Sequence, residues 1–297
     1  MENLNIDNKY INNEKQGVIK ENTKFDEKDT EEQEIKKKLN DLLSKIECFD
    51  PSNWAKIHDK LNSGMIGTCL TSKDCYRIGF IKVLIDKAKE SNIHFAKDGN
   101  NFYVYNNQYW IKISEDLLKS FLHMAAQKMG IPIGLSICVK FIKSTYEQLI
   151  ESGFFEKMIQ DNVTHLNVLN GTINIDLDGV KLVNFDSKHF LTHQLDFVYD
   201  KNIVNQVWLD FLNKVLPDKD TQKTLQQAIG YLFIKDLKLE KVIFLYGIGS
   251  NGKSVIFEII KGILSVDMMT NYSLASLTNH LGYQLADLNN KIINYGT

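Results

Sequence analysis

Eight consecutive residues, Gly247-Ile248-Gly249-Ser250-Asn251-Gly252-Lys253-Ser254, set two glycines, a lysine and a serine in the pattern GxxxxGK[ST]. The spacing has a physical reason. A glycine-rich turn lets successive backbone N–H groups curl around a phosphate, and the start of a following helix adds its partial positive charge. A lysine at the seventh position reaches the β- and γ-phosphates as a point charge, and the next hydroxyl can join the coordination of Mg²⁺. Gly247, Ile248, Gly249, Ser250, Asn251, Gly252, Lys253 and Ser254 are therefore the candidate nucleotide-binding residues, with ATP and Mg²⁺ as the expected ligands. Lys253 is the candidate catalytic charge and Ser254 the candidate metal ligand. The bland alternative is a glycine turn between two elements that binds nothing.

Such a loop works only if a strand and a helix hold it. Lys241-Val242-Ile243-Phe244-Leu245-Tyr246 is a short apolar run ending at a glycine, the pattern of a parallel strand buried on both faces. Val255 to Leu264 continue as an apolar-rich helix. Both contexts favour the phosphate-binding reading over the bare turn.

Other constellations carry less chemistry. Asp176 and Asp178 have the spacing of a metal-binding acid pair, but they sit beside a turn glycine, with Asp178-Gly179 as the turn, and read as part of a hairpin. His189 and His193 lie four apart among apolar neighbours, which suggests a structural role. Cys48, Cys69, Cys75 and Cys138 form no CxxC pair and have no histidine at zinc-ligand spacing, so they read as reduced thiols. The aromatic cluster at Phe102, Tyr103, Tyr105, Tyr109 and Trp110 could stack on bases, but more simply fills the core of its own hairpin.

Composition bounds the rest. The chain has 297 residues, 43% hydrophobic and 24% charged, the profile of a globular protein. It holds no apolar stretch long enough to span a bilayer, and its polar start, MENLNIDNKY, lacks the core of a signal peptide. No membrane partner is expected, and the cytoplasm is the expected location. Lysine and arginine total 35 against 37 acidic residues, so net charge does not mark a dedicated nucleic-acid module. Arg77 is the only arginine.

Along the chain, residues 1–45 are rich in Glu, Lys, Asn and Asp and read as a disordered charged arm. Within it Asp29 to Ile46 carries Ile35, Leu39, Leu42 and Ile46 at helical spacing, and globular sequence is expected to begin near Cys48. Residues 46–100 form a helical N-terminal region, with helices over Ser52 to Leu61 and Tyr76 to Ser91. A hairpin turning at Asn106-Asn107 opens residues 101–237. Helices are expected over Ser114 to Met129 and Gly134 to Ser152. Strands follow over His165 to Asn174 and Val180 to Phe185, then helices over Asn202 to Val215 and Asp220 to Phe233. Residues 238–297 make up a further domain.

GIGSNGKS after KVIFLY resembles the phosphate loop of superfamily 3 helicases, in the branch shared by phage and plasmid primase-helicases and poxvirus primase-helicases. Asn251 stands where that branch commonly carries asparagine. The resemblance extends upstream through Tyr109-Trp110, Leu169-Asn170-Gly171, Trp208 to Leu212 and Ile229 to Leu232, so that it covers roughly Asn101 to Thr297. It implies an AAA+-like ATPase that assembles as a homo-hexamer around single-stranded or forked DNA. By the same resemblance Lys291 to Thr297 looks like the Walker B strand, and its acids, the sensor, the DNA hairpin and the arginine finger would lie beyond Thr297. The expected fold is thus an α+β N-terminal region followed by an incomplete α/β P-loop NTPase domain. The expected function is the ATP-binding portion of a DNA helicase, with a chain truncated at Walker B that is inactive alone. Alternatives are another P-loop ATPase or kinase, or a non-enzymatic short product that binds helicase subunits or DNA.

Overall fold

The computed structural model describes residues 30–49, 51–63, 71–151, 155, 163–234, 237, 242–249, 251–264, 268–278, 283–288 and 291–296. The expectations for residues 1–29, Cys69, Lys241, Ser250 and Thr297 lie outside the described residues. The chain divides into two compact units, residues 1–158 and 159–297. That division falls inside the expected 101–237 domain and not at 237/238.

The first unit begins earlier than its composition suggested. Residues 30–45 form helix α1, and Ile35, Leu39, Leu42 and Ile46 are buried in the main core. The charged arm therefore does not extend to residue 45. Spacings of four, three and four residues place these side chains on one stripe, and burying each is worth about 1.5–3 kcal/mol. The polar face finds partners as well: Tyr109 Oη donates to Glu31 at 3.1 Å, Asn106 Nδ2 to Glu34 at 2.9 Å, and Lys38 Nζ to Asn107 Oδ1 at 3.1 Å. At the C-terminal end, Lys128 Nζ donates to the Leu43 carbonyl at 2.7 Å and to the Ser44 carbonyl at 3.1 Å.

Helices α2 (Pro51–Asn62) and α3 (Ser72–Glu90) follow, then an antiparallel sheet of β1 (Phe95–Asp98), β2 (Asn101–Tyr105) and β3 (Trp110–Ile113). The turn at Asn106-Asn107 forms as expected, with Tyr105 opposite Trp110, Asn107 at φ 86°, and the Asn106 side chain accepting from the N–H groups of Gln108 and Tyr109. Tyr103, Tyr105 and Trp110 are buried, so these rings fill the core and offer no face to a base. β1 had no sequence signal beyond Phe95. Helix α4 (Glu115–Lys128) is capped by Ser114, whose hydroxyl accepts from Leu117 N–H. The single helix expected from Gly134 is two, α5 (Ile133–Ser136) and α6 (Val139–Glu151).

In the second unit, β4 (Thr164–Val168), β5 (Gly171–Asp176) and β6 (Gly179–Val183) form an antiparallel sheet. The expected single strand from His165 to Asn174 is broken at Leu169-Asn170, where the Asn170 side chain donates to the carbonyl and accepts from the N–H of Tyr199, both at 3.0 Å. Asp176 Oδ1 accepts from Asp178 N–H at 2.8 Å, so the acid pair is a hairpin turn. Helices α7 (Gln206–Val215) and α8 (Lys219–Tyr231) come next, then α9 (Lys253–Ile263). Strands β7 (Met269–Thr270) and β8 (Ile293–Asn294) pair in parallel, with the short helices α10 (Leu274–Leu277) and α11 (Tyr283–Asp287) between them.

The largest departure concerns the run before the loop. Val242 to Tyr246 is not a strand, and Val242, Phe244 and Tyr246 are 70%, 76% and 96% exposed. A parallel strand needs a hydrogen-bonded neighbour and cover on its faces. Among the described residues parallel pairing of strands is confined to β7 and β8, and no strand pairs with this run. The described fold is thus α+β with small antiparallel sheets.

Leu42 is fully buried, so Leu42→Ala should destabilise the first unit by about 2–5 kcal/mol in urea unfolding, and limited proteolysis of the parent should spare residues 30–48. Asp218 caps α8, and the Thr221 hydroxyl and N–H hold its carboxyl below the usual carboxylate range. Its contribution is present above the ordinary aspartate value and lost as pH falls through the lowered one. Asp218→Ala should therefore lower the melting temperature at neutral pH, with the gap narrowing on acidification.

Candidate phosphate-binding site

The loop is positioned by the helix that leaves it. Ile256, Ile260 and Leu264 recur every fourth residue and are buried against Leu212 of α7, Leu225 of α8 and Met269 of β7. Trp208, Phe211, Leu216 and Ile229 pack against that cluster, with the Trp208 and Phe211 rings stacked at 5.5 Å. The Trp208–Leu212 and Ile229–Leu232 stretches that carry the family resemblance are thus the bed on which α9 lies. Leu209 and Asp210 of the same stretch are exposed, Asp210 accepting from Gln206 Nε2 at 2.8 Å.

Where α9 begins, Gly252 is its N-cap, in the left-handed region at φ 86°. A Cβ there would come within 2.7 Å of Phe211 Cζ and 3.3 Å of Val215 Cγ1. Glycine is required twice over, by backbone conformation and by the approach of α7. Among the described residues no side chain caps α9, so the first N–H groups of a helix with an anion-favouring N-terminus remain open to a ligand.

Lys253 is the first residue of that helix and is half-buried. Its ammonium donates to the Gly247 carbonyl at 2.9 Å and to Asn251 Oδ1 at 2.7 Å, so the two ends of the loop are tied together through one charge. A lysine ammonium has three donors, and two are used among the described residues. Ser254, Ile248 and Gly249 are exposed, and Ser250 lies outside the described residues. The structure therefore brings Gly247, Asn251, Gly252 and Lys253 together and leaves Ile248, Gly249 and Ser254 on the solvent side.

Tyr295, just after β8, approaches the same helix. The Tyr295 ring lies 4.2 Å from that of Phe257, and its hydroxyl reaches towards the Lys253 carbonyl at 3.4 Å, a long contact. Burial raises the Tyr295 hydroxyl above the ordinary phenol range. Asn294 accepts from Tyr272 N–H at 2.8 Å and from Thr270 Oγ1 at 3.0 Å, and donates to the Tyr272 carbonyl at 2.9 Å, which locks β8 to the end of β7. These roles had no sequence signal beyond membership of an apolar run.

His189 and Arg77 have structural partners. His165 stacks on His189 with ring centroids 4.1 Å apart and bonds Asn174 Oδ1 at 2.8 Å. Arg77 pairs with Asp74 at 2.8 Å one turn away on α3. Among the described residues, no three His, Cys, Asp or Glu side chains gather as a metal site, and no helix is long and apolar enough to cross a membrane.

The second unit thus presents a glycine-rich loop at the head of a helix buried along one face. Residues 82–217 match the family described as D5 N terminal like, a domain found in primase-helicase replication proteins. The match starts within α3, upstream of Asn101 where the resemblance was expected to begin, and ends just after α7, before the loop. No curated protein matches the chain.

Two of the loop glycines should separate experimentally. Gly252→Ala should destabilise the second unit by roughly 2–5 kcal/mol, from the left-handed backbone and the overlap with Phe211. Gly249 has no positive φ and nothing within 4 Å of the place a methyl would take, so it should accept alanine within about 0.5 kcal/mol. Urea unfolding of both variants checks the contrast.

Proposed function

We propose that this chain is the ATP-binding portion of a DNA helicase of the primase-helicase type, acting in replication of a phage, plasmid or related mobile element. The observation that carries the reading is the Lys253 ammonium, held across the loop at the uncapped start of α9 with one donor to spare. The match of residues 82–217 supports the replication context. In this reading the β- and γ-phosphates of ATP lie in the loop, with backbone N–H groups and Lys253 meeting their charge. Ser254 takes part in holding Mg²⁺. DNA is the macromolecular partner, and the working assembly is a homo-hexamer.

Binding is the step these residues can perform themselves. Lys253 supplies a full positive charge next to N–H groups that the start of α9 leaves unpaired, so little reorganisation accompanies phosphate capture. Lys253→Ala should weaken Mg·ATP binding by about 2 kcal/mol or more, roughly thirtyfold, as read by calorimetry. Equal affinity in the two proteins would remove the loop from the proposal.

A further inference from the structure

Gly247 and Asn251 pose a question that the phosphate-loop pattern alone does not answer. Gly247 is not in the positive-φ region, so its backbone does not demand glycine. Yet a Cβ on Gly247 would lie 1.7 Å from Asn251 Nδ2 and 2.9 Å from Asn251 Cγ. The same carboxamide presents Oδ1 to Lys253 Nζ at 2.7 Å, while the Gly247 carbonyl takes a second donor of that ammonium at 2.9 Å.

We infer that Asn251 is a positioning residue for Lys253, and that Gly247 is glycine to make room for the Asn251 carboxamide. The inference rests on the nucleotide-binding reading above and adds how that site is prepared. A lysine at the first position of a helix has a long, rotamer-rich side chain that would otherwise sample solvent. Two acceptors fixed by the loop hold its charge in place, so less freedom is lost when a phosphate arrives. Both acceptors are neutral, which matters as much as their position. An amide oxygen orients the ammonium without cancelling its charge, whereas a carboxylate of the same shape would pair with it. The residue between Ser250 and Gly252 therefore has a stated chemical requirement: short, planar, an acceptor, and uncharged.

Gly247 follows from this. The group a methyl would strike is the end of a flexible side chain, so alanine there need not disrupt the backbone. It would instead displace the carboxamide and break the bond to Lys253. Gly247→Ala should then act through Asn251 and reproduce its loss.

Calorimetric titration with Mg·ATP of the full chain and its variants, each checked by a thermal melt, tests this. Asn251→Ala should bind roughly three- to tenfold more weakly than the parent. Gly247→Ala should match it, and the double variant should be no weaker than either single one. Asn251→Asp, the same shape with a charge, should bind more weakly than Asn251→Ala, an order that a purely space-filling role would reverse. It also serves if the alanine variant fails to fold. Parent-like binding by Asn251→Ala or Asn251→Asp, or losses that multiply in the double variant, would overturn the inference. Lys253→Ala distinguishes the positioning role from nucleotide binding itself. If it binds as the parent does, the nucleotide-binding reading fails; if it alone is weakened, only the role of Asn251 fails.

Discussion

The loop depends on the approach of α7 to the first residues of α9. Gly252 has room for nothing but hydrogen on the side facing Phe211 and Val215, and it adopts a backbone that only glycine takes without strain. Once α9 is seated there, Ile256, Ile260 and Leu264 fall into the cluster formed by α7, α8 and β7. The direction of α9 fixes where its uncapped N–H groups point, and the Lys253 side chain then closes the loop from within. Remove the α7 contact and the geometry of the loop has no support from that side.

This arrangement gives the segment that matches the D5 N terminal like family a physical connection to the loop. The matched residues end just after α7, the element that presses on Gly252. The motifs that look most distinctive in sequence are mostly scaffold. Asn170 pins a turn to Tyr199, Trp110 fills the first unit's core, and Trp208 with Phe211 carries α9. Their chemistry is packing and hydrogen bonding; the reactive charge belongs to Lys253 alone among the residues brought together at the loop.

Much of this was legible in sequence where a local rule applied. The loop, the helix after it, the Asn106-Asn107 turn and the Asp178-Gly179 turn all depend on neighbours in the chain. The α1 stripe was visible at Ile35, Leu39, Leu42 and Ile46, but its charged surroundings argued for disorder. Partners far along the chain, Asn106, Asn107 and Tyr109, are what those charges meet. The run at Val242 to Tyr246 failed in the opposite sense. Its apolar composition specifies a buried strand only when neighbours supply a ladder and cover, and composition carries no information about either. Asn251 was legible as part of a motif, but its contact with both Gly247 and Lys253 is a property of the folded loop.

If residues 247–256 form a polyphosphate site organised by α9, the backbone N–H groups themselves are the phosphate donors. Hydrogen–deuterium exchange with and without Mg·ATP reads those groups one segment at a time. Amides in residues 248–256 should exchange more slowly once Mg·ATP is added, with weaker protection of α7 behind them. Unchanged exchange through this segment, at concentrations where nucleotide binding is saturated, would contradict a phosphate site built on the start of α9.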